Sequence, residues 1–297
     1  LRLINGGREE HCKLLVSFMK KRGYRWIRPQ DPSVRFSPCL PYSKRPSFLR
    51  DLQGVIEIRG YQKFNLKDNR VNHIISSPEK FSYLRRHLSS VRESLKPEEC
   101  MNPIEFMDVG CNAGLTSFLA HEVGYDHVIS LDHDKEYVAM LSEVLALEKL
   151  STVEPHEFSF GQPFPQRVDV MFVGALIHWV FTCTADFGRF NKIMAYLMNG
   201  VSKILVIEWV DPQDHAIKNF RHTDGCGSGA VAQEAYTVAN FERSLQQIGT
   251  ISEKWHSEKK TTRTIYTVII ASPKAKEVPD AATTFQRGPT ARIHHLV

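Results

Sequence analysis

No C-x-x-C pair and no regular spacing links the six cysteines, at positions 12, 39, 100, 111, 183 and 226. That excludes the common zinc-site patterns and gives no disulfide framework. No apolar run approaches the roughly 20 residues that a membrane-crossing helix needs. The first seven residues, Leu1 to Gly7, hold neither an initiator Met nor the apolar centre of a signal peptide. The chain therefore reads as a cytoplasmic protein with reduced thiols, and as a piece of a larger one. Its 297 residues, 42% of them hydrophobic, suffice for one domain with an ample core plus an extension.

Acidic residues are scarce at the front. Residues 1–96 hold 21 Lys and Arg against 8 Asp and Glu, whereas 97–297 hold 17 against 25. A basic front is either a footprint for a polyanion such as nucleic acid or a solvated face, and no base-stacking motif accompanies it. The boundaries that follow are a basic N-terminal extension over 1–96, a cofactor-binding domain over 97–273 and a polar tail over 274–297.

Within the extension, Arg8 to Arg22 has helical spacing ended by Gly23. Prolines at 29, 32, 38, 41 and 46 make Gln30 to Ser47 a linker or arm. Leu52 to Leu66 alternates as a strand or hairpin, and Pro78 to Leu95 is an amphipathic helix. The chain is then organised around Ile104 to Leu115. Ile104 to Val109 is a β-rich apolar run, Gly110 and Gly114 bracket a tight turn, and Leu115, Phe118, Leu119 and Val123 follow helical spacing. A second apolar run, Val128 to Leu131, ends on Asp132, where a nucleoside-binding α/β domain places a carboxylate against ribose hydroxyls. The G-x-G-x-x-G spacing that brings a helix N-terminus onto a pyrophosphate is absent. An acidic residue, Asp108, stands at the strand end instead, and it suits a ligand bearing an ammonium group.

Asp108, Gly110 and Gly114 in acidic-x-Gly-x-x-x-Gly spacing, with Asp132 closing the next strand, resemble the class I S-adenosylmethionine-dependent methyltransferases. The resemblance implies an α/β fold: a doubly wound, mostly parallel, seven-stranded Rossmann-like sheet. It implies S-adenosylmethionine as cofactor, held by Asp108, Gly110, Cys111, Asn112, Gly114, Asp132 and His133, with Phe158 flanking the adenine. It also makes Tyr61, Gln62 and Arg70, upstream of the first strand, candidates for the acceptor side.

The remaining periodicity agrees with such a sheet. Lys135 to Glu148 is a helix, and Thr152 to Phe158, Val168 to Val173 and Lys203 to Val210 are strands, with a helix over Phe190 to Leu197. A glycine-rich loop around Gly225 to Gly229 precedes a helix over Thr237 to Ile248. Ile251 to His256 and Arg263 to Ser272 form a closing strand pair.

Ligands of open α/β sheets lie beyond the strands' carboxyl ends. After the fourth strand come His178 and Trp179, and after the fifth Glu208, Asp211 and Asp214. A neutral His can take the proton of a hydroxyl acceptor, or only shape the site. Glu208 and Asp211 are competing bases or orienters that line the acceptor pocket, and Trp179 is a substrate contact. No obligatory metal is expected. Catechol-type methyltransferases draw a carboxylate from just after strand four, where this chain has Gly174 and Ala175.

The runs His178 to Gly188, Leu205 to Pro212, Thr262 to Tyr266 and Gly60 to Phe64 resemble methyltransferase domains found beside or fused to glycosyltransferases in bacterial polysaccharide and giant algal-virus glycan synthesis. That resemblance implies O-methylation of a sugar hydroxyl, with a glycan acceptor and an associated glycosyltransferase as partners. Two other readings stay open: an RNA methyltransferase using the basic front, and an inactive cofactor-binding module.

Overall fold

Strands that are apolar at consecutive positions need cover on both faces. In the computed structural model, which describes residues 2–3, 49–50, 53–58, 62–95, 103–183, 189–214, 217, 235–258 and 262–271, helices and a second sheet provide it. The elements run β1 Arg2–Leu3, β2 Gly54–Ile58, β3 Gln62–Lys67, β4 Arg70–Ile74, α1 Pro78–Ser94, β5 Glu105–Val109, α2 Leu115–Glu122, β6 His127–Asp132, α3 Lys135–Glu148 and β7 Val153–Glu157. Then follow β8 Val168–Val173, α4 Ile177–Cys183, α5 Phe190–Leu197, β9 Val201–Val210, α6 Val238–Ile248, β10 Gly249–His256 and β11 Arg263–Ile270.

Seven strands form the main sheet in the order β10-β11-β9-β8-β5-β6-β7. β9, β8, β5, β6 and β7 are parallel, and β11 lies antiparallel between β9 and β10. This is the doubly wound, mostly parallel seven-stranded sheet that the periodicity and resemblance predict. Alternation assigns the faces. Phe106, Phe172 and Val206 point into a core shared with Leu84 and Leu88 of α1, Phe118 of α2 and Leu141 of α3. Met107, Val173 and Ile207 point into the opposite core, filled by Ile177 and Phe181 of α4, Phe190 and Ile193 of α5, and Phe241 of α6.

A four-stranded antiparallel sheet, β1-β2-β3-β4, packs Ile56, Phe64 and Leu66 into the first core. Its β3–β4 turn uses Asp68 and Asn69, both at positive φ (52° and 58°), the geometry favoured in a two-residue hairpin. His73 of β4 lies between Phe64 (ring centroids 5.0 Å) and Phe118 (4.8 Å) and fastens this sheet to α2. Burial there pushes its imidazole down to about 4. The expected hairpin is thus extended by a third strand, β4. The residues after the fourth strand, to which the sequence assigns no element, form the short helix α4. The expected helix over Arg8 to Arg22, the arm over Gln30 to Ser47, the glycine-rich loop and the tail lie outside the described residues. No described helix is long and apolar enough to cross a membrane.

The glycine turn between β5 and α2 is tied to this packing. Gly110, Asn112 and Gly114 all take positive φ. A Cβ added at Gly114 would stand 2.4 Å from Leu141 Cδ1, in the buried centre of α3. Glycine is therefore needed here for backbone conformation and for helix approach. Gly114→Ala is expected to cost about 1–3 kcal/mol, the range for overpacking a core. Chemical denaturation measures it, and an unchanged midpoint would contradict this account of the turn.

Candidate cofactor and acceptor site

The carboxyl ends of β5, β6, β8 and β9 meet the first turns of α1, α2 and α4. Asp108 is the fourth residue of β5, 2% exposed and directed to the α1 side. Ser117 of α2 donates its hydroxyl to Asp108 Oδ2 at 2.7 Å, and Ser130 of β6 donates to Ser117 Oγ at 2.8 Å. Among the described residues no cation is paired with Asp108. Burial pushes its carboxyl up to about 7, against the Ser117 hydrogen bonds and with a further push from the charge of Asp132.

The loop after Asp108 uses its own donors internally. The N–H groups of Gly110 and Cys111 both reach Leu131 O (2.8 and 2.9 Å), that of Gly114 reaches Cys111 O (2.9 Å), and that of Asn112 reaches Asp132 Oδ2 (2.8 Å). A phosphate cradle needs such groups aimed outward. This loop offers none of the four. Its glycines also meet protein more than ligand space, since a Cβ on Gly110 would touch Leu176 at 3.0 Å. Cys111 is buried, and burial beside Asp108 and Asp132 pushes its thiol up. It is a packing residue with an inert thiol.

Asp132 ends β6 as a bracket for the loop. Oδ2 accepts from Asn112 N and Oδ1 from Asp134 N at 2.9 Å. Each carboxylate oxygen keeps further acceptor capacity, the requirement for receiving two vicinal hydroxyls. Burial raises this carboxyl, opposed by the Asp134 and Asn112 hydrogen bonds. His133 sits at the rim, 78% exposed, with Nδ1 3.4 Å from Asp132 Oδ1. Phe158 N donates to Asp132 O at 2.8 Å, while its ring stacks on Phe164 at 5.1 Å inside the second core.

Across β8 lies a second group. Glu208 is fully buried, and Lys80 Nζ, from the first turn of α1, stands 2.6 Å from its Oε2. Its Oε1 accepts no hydrogen bond among the described residues, and Arg263 Nη1 stands 3.9 Å from it. Arg263 is held by Asp214, with Nε 3.0 Å from Oδ2 and Nη2 3.3 Å from Oδ1, and Thr262 donates to the same carboxylate at 2.7 Å. Asp211 accepts from Gln213 N at 2.8 Å within a turn, and its own N–H reaches Thr262 O. His178, on the first turn of α4, is buried, and its imidazole is pushed down to about 4, chiefly by burial and next by Arg263, with Asp214 opposing. At neutral pH it is uncharged. Trp179 beside it stays 40% exposed, its ring 5.8 Å from that of His178.

The structure thus brings Asp108, Gly110, Cys111, Asn112, Gly114, Asp132, His133, His178, Trp179, Glu208 and Asp211 to one edge of the sheet. Arg70 must be corrected. It stands at the β3–β4 turn beside Glu148 and Lys149, where α3 ends, and Val71 N donates to Glu148 Oε1 at 2.5 Å. Because α3 starts beyond Asp132 and runs back along the sheet, Arg70 lies at the end away from the glycine loop. Gln62 starts β3, at the other end of that small sheet, and Tyr61 lies outside the described residues. Sequence reasoning misses Ser117 and Lys80, whose only local signal is a polar residue on an amphipathic helix. Among the described residues no three His, Cys, Asp or Glu side chains are grouped to hold a metal ion.

The site is a carboxylate-lined sheet edge whose loop N–H groups are engaged within the protein. No protein-family model matches the chain, and comparison with curated proteins gave no significant match. Solved structures similar to it include a SAM dependent methyltransferase from Aquifex aeolicus, at 18% identity over 65% of this chain and 98% of that one, TM-score 0.43. Another is the ribosomal protein L11 methylase from Lactobacillus delbrueckii subsp. bulgaricus, at 13% identity over 65% and 79%, TM-score 0.42. A third is the N-methyltransferase NodS from Bradyrhizobium japonicum WM9 with S-adenosyl-L-homocysteine, at 12% identity over 65% and 86%, TM-score 0.45. Likeness at this distance leaves function to the site itself.

The buried Asp108 has a consequence for stability. Its folded-state carboxyl holds a proton up to about 7 against an ordinary value of 3.8. Between those values the folded chain binds a proton that the unfolded chain has lost, so its contribution to stability falls as pH rises through that window and levels off above it. Asp108→Asn is expected to flatten this fall and to raise stability at pH 8. Denaturation curves for both proteins across pH 4–8 test it, and parallel pH dependence would show that Asp108 is not the titrating group.

Proposed function

We propose that the chain is an S-adenosylmethionine-dependent O-methyltransferase that acts on a sugar hydroxyl of a glycan. The observation that carries the cofactor reading is a sheet edge with two buried carboxylates, Asp108 and Asp132, next to a loop whose N–H groups are engaged internally. Such an edge fits a ligand with ribose hydroxyls and an ammonium group and without phosphates. S-adenosylmethionine is that kind of ligand, and when bound it supplies a methyl group on a sulfonium for in-line displacement by the acceptor oxygen. In this reading Asp132 receives the ribose hydroxyls and Asp108 the ammonium.

The acceptor reading rests on His178 and Trp179. An exposed indole beside a buried imidazole offers a flat apolar face to a sugar ring. A buried, uncharged imidazole next to it can accept the hydroxyl proton. Its low affinity for protons makes it a weak base but keeps it unprotonated throughout the physiological range. Glu208 and Asp211 line the same side, and each is held by the contacts described above. Alignment of donor and acceptor supplies most of the acceleration.

Asp132→Ala is expected to weaken S-adenosylhomocysteine binding by ~1.5–3 kcal/mol, the range for hydrogen bonds to a charged group. Calorimetry on the folded variant measures this, and unchanged affinity would remove Asp132 from the cofactor site.

His178→Ala is expected to lower kcat roughly 10²–10⁴-fold with cofactor affinity nearly intact. The wild-type rate should fall only as pH approaches about 4, where the ring gains its proton, and the variant should lack that limb. If the limb persists in His178→Ala while Glu208→Gln or Asp211→Asn is dead, the carboxylate is the base.

A further inference from the structure

We propose that Lys80 Nζ receives the carboxylate of the cofactor's amino-acid end, with Glu208 as the positioning residue that holds the lysine there. This rests on the S-adenosylmethionine reading above and names a residue that neither the glycine loop nor the strand ends contain.

The amino-acid end of that cofactor is a zwitterion. A site that meets the ammonium with a buried carboxylate and leaves the ligand's own carboxylate unpaired in a desolvated cleft would incur a large penalty. A cation is therefore needed close to Asp108. Side-chain alternation places Asp108 of β5 and Glu208 of β9 on the same face of the sheet, the one covered by α1, with β8 between their strands. Among the described residues the charged donors beside β5 and β9 on that face are Lys80 and Arg263, while Lys135, at the start of α3, is paired with Glu157 at the end of β7. Arg263 commits Nε and Nη2 to Asp214, which is itself buried and also bonded by Thr262. Lys80 is placed differently. An ammonium has three donors, and among the described residues one of them is directed to Glu208 Oε2 at 2.6 Å. Its side chain is 20% exposed where that of Glu208 is 0%, so the lysine and not the glutamate is accessible from solvent. The positive charge of Lys80 also reaches Asp108, whose carboxyl it draws down against the effect of burial.

The competing account is purely structural: Lys80 neutralises a buried Glu208 and ties the first turn of α1 to β9. Both accounts predict that losing Lys80 harms the fold, because an uncompensated buried carboxylate is costly. They differ in ligand selectivity. The experiment measures binding of S-adenosylhomocysteine and of 5′-methylthioadenosine, which keeps the nucleoside thioether and lacks the amino acid. It uses wild type, Lys80→Met, and the double variant Lys80→Met/Glu208→Gln, in which neither member of the pair leaves a charge buried.

In wild type S-adenosylhomocysteine should bind more tightly than 5′-methylthioadenosine. Both variants should lose roughly 10- to 100-fold on S-adenosylhomocysteine, as expected for one charged hydrogen bond, and should hold 5′-methylthioadenosine within about twofold. Lys80→Arg should recover part of the loss. Equal loss on both ligands, or no loss on S-adenosylhomocysteine in the double variant, overturns the assignment and leaves the cofactor reading standing. Failure of wild type to bind either ligand overturns the cofactor reading itself and this inference with it.

Discussion

A carboxylate taken out of water must be met by donors or by a cation, and among the described residues four are taken out of water along one edge of the main sheet. Asp108, Asp132, Glu208 and Asp214 are all buried there. Each is met in a different way: Asp108 by Ser117, Asp132 by two backbone N–H groups, Glu208 by Lys80, and Asp214 by Arg263 and Thr262. The differences sort the edge into two parts. Under the β5 and β6 ends the carboxylates are hydrogen-bonded by a hydroxyl and by backbone N–H groups, with His133 at the rim beside Asp132, and they keep acceptor capacity for a ligand. Under the β9 end the carboxylates are met by the cations of Lys80 and Arg263.

That sorting depends on the fold at several levels. Two-sided burial of β5, β8 and β9 requires α1, α2 and α3 on one face and α4, α5 and α6 on the other. The first turns of α1, α2 and α4 then converge on the strands' carboxyl ends, and each delivers one side chain: Lys80, Ser117 and His178. The glycine turn is the tightest point, since Gly114 lets α2 approach Leu141 while Asp132 holds the loop from below. The engaged loop donors distinguish this edge from a pyrophosphate site more firmly than glycine spacing alone.

Much of this is legible in the amino-acid sequence. The strand, glycine turn and helix from Ile104 onward, the carboxylate ending the next strand, and the alternation of strands with helices follow from short-range periodicity and turn chemistry, which act within a few residues, while the parallel sheet is what the family resemblance implies. Thr237, expected at the start of a helix, is its N-cap and accepts from Asn240 N. Long-range partners leave no such trace. Lys80 and Glu208 are 128 residues apart, and nothing near Lys80 distinguishes it from a solvated helix residue. Arg70 is misplaced by sequence reasoning for a related reason: hairpin alternation shows which side chains share a face but not which end of the sheet a turn reaches. The low proton affinity of His178 comes from burial and from Arg263, which is distant in sequence, so the residue type alone suggests a more basic group.

The central claim is that this edge binds a phosphate-free nucleoside bearing an ammonium group. Side-by-side calorimetric titration of the protein with S-adenosylhomocysteine, NAD and ATP tests it most directly. The account predicts one-to-one binding of S-adenosylhomocysteine and at least roughly 100-fold weaker binding of the two phosphate-bearing ligands, about 2.7 kcal/mol in free energy. NAD or ATP binding as tightly as S-adenosylhomocysteine would contradict it.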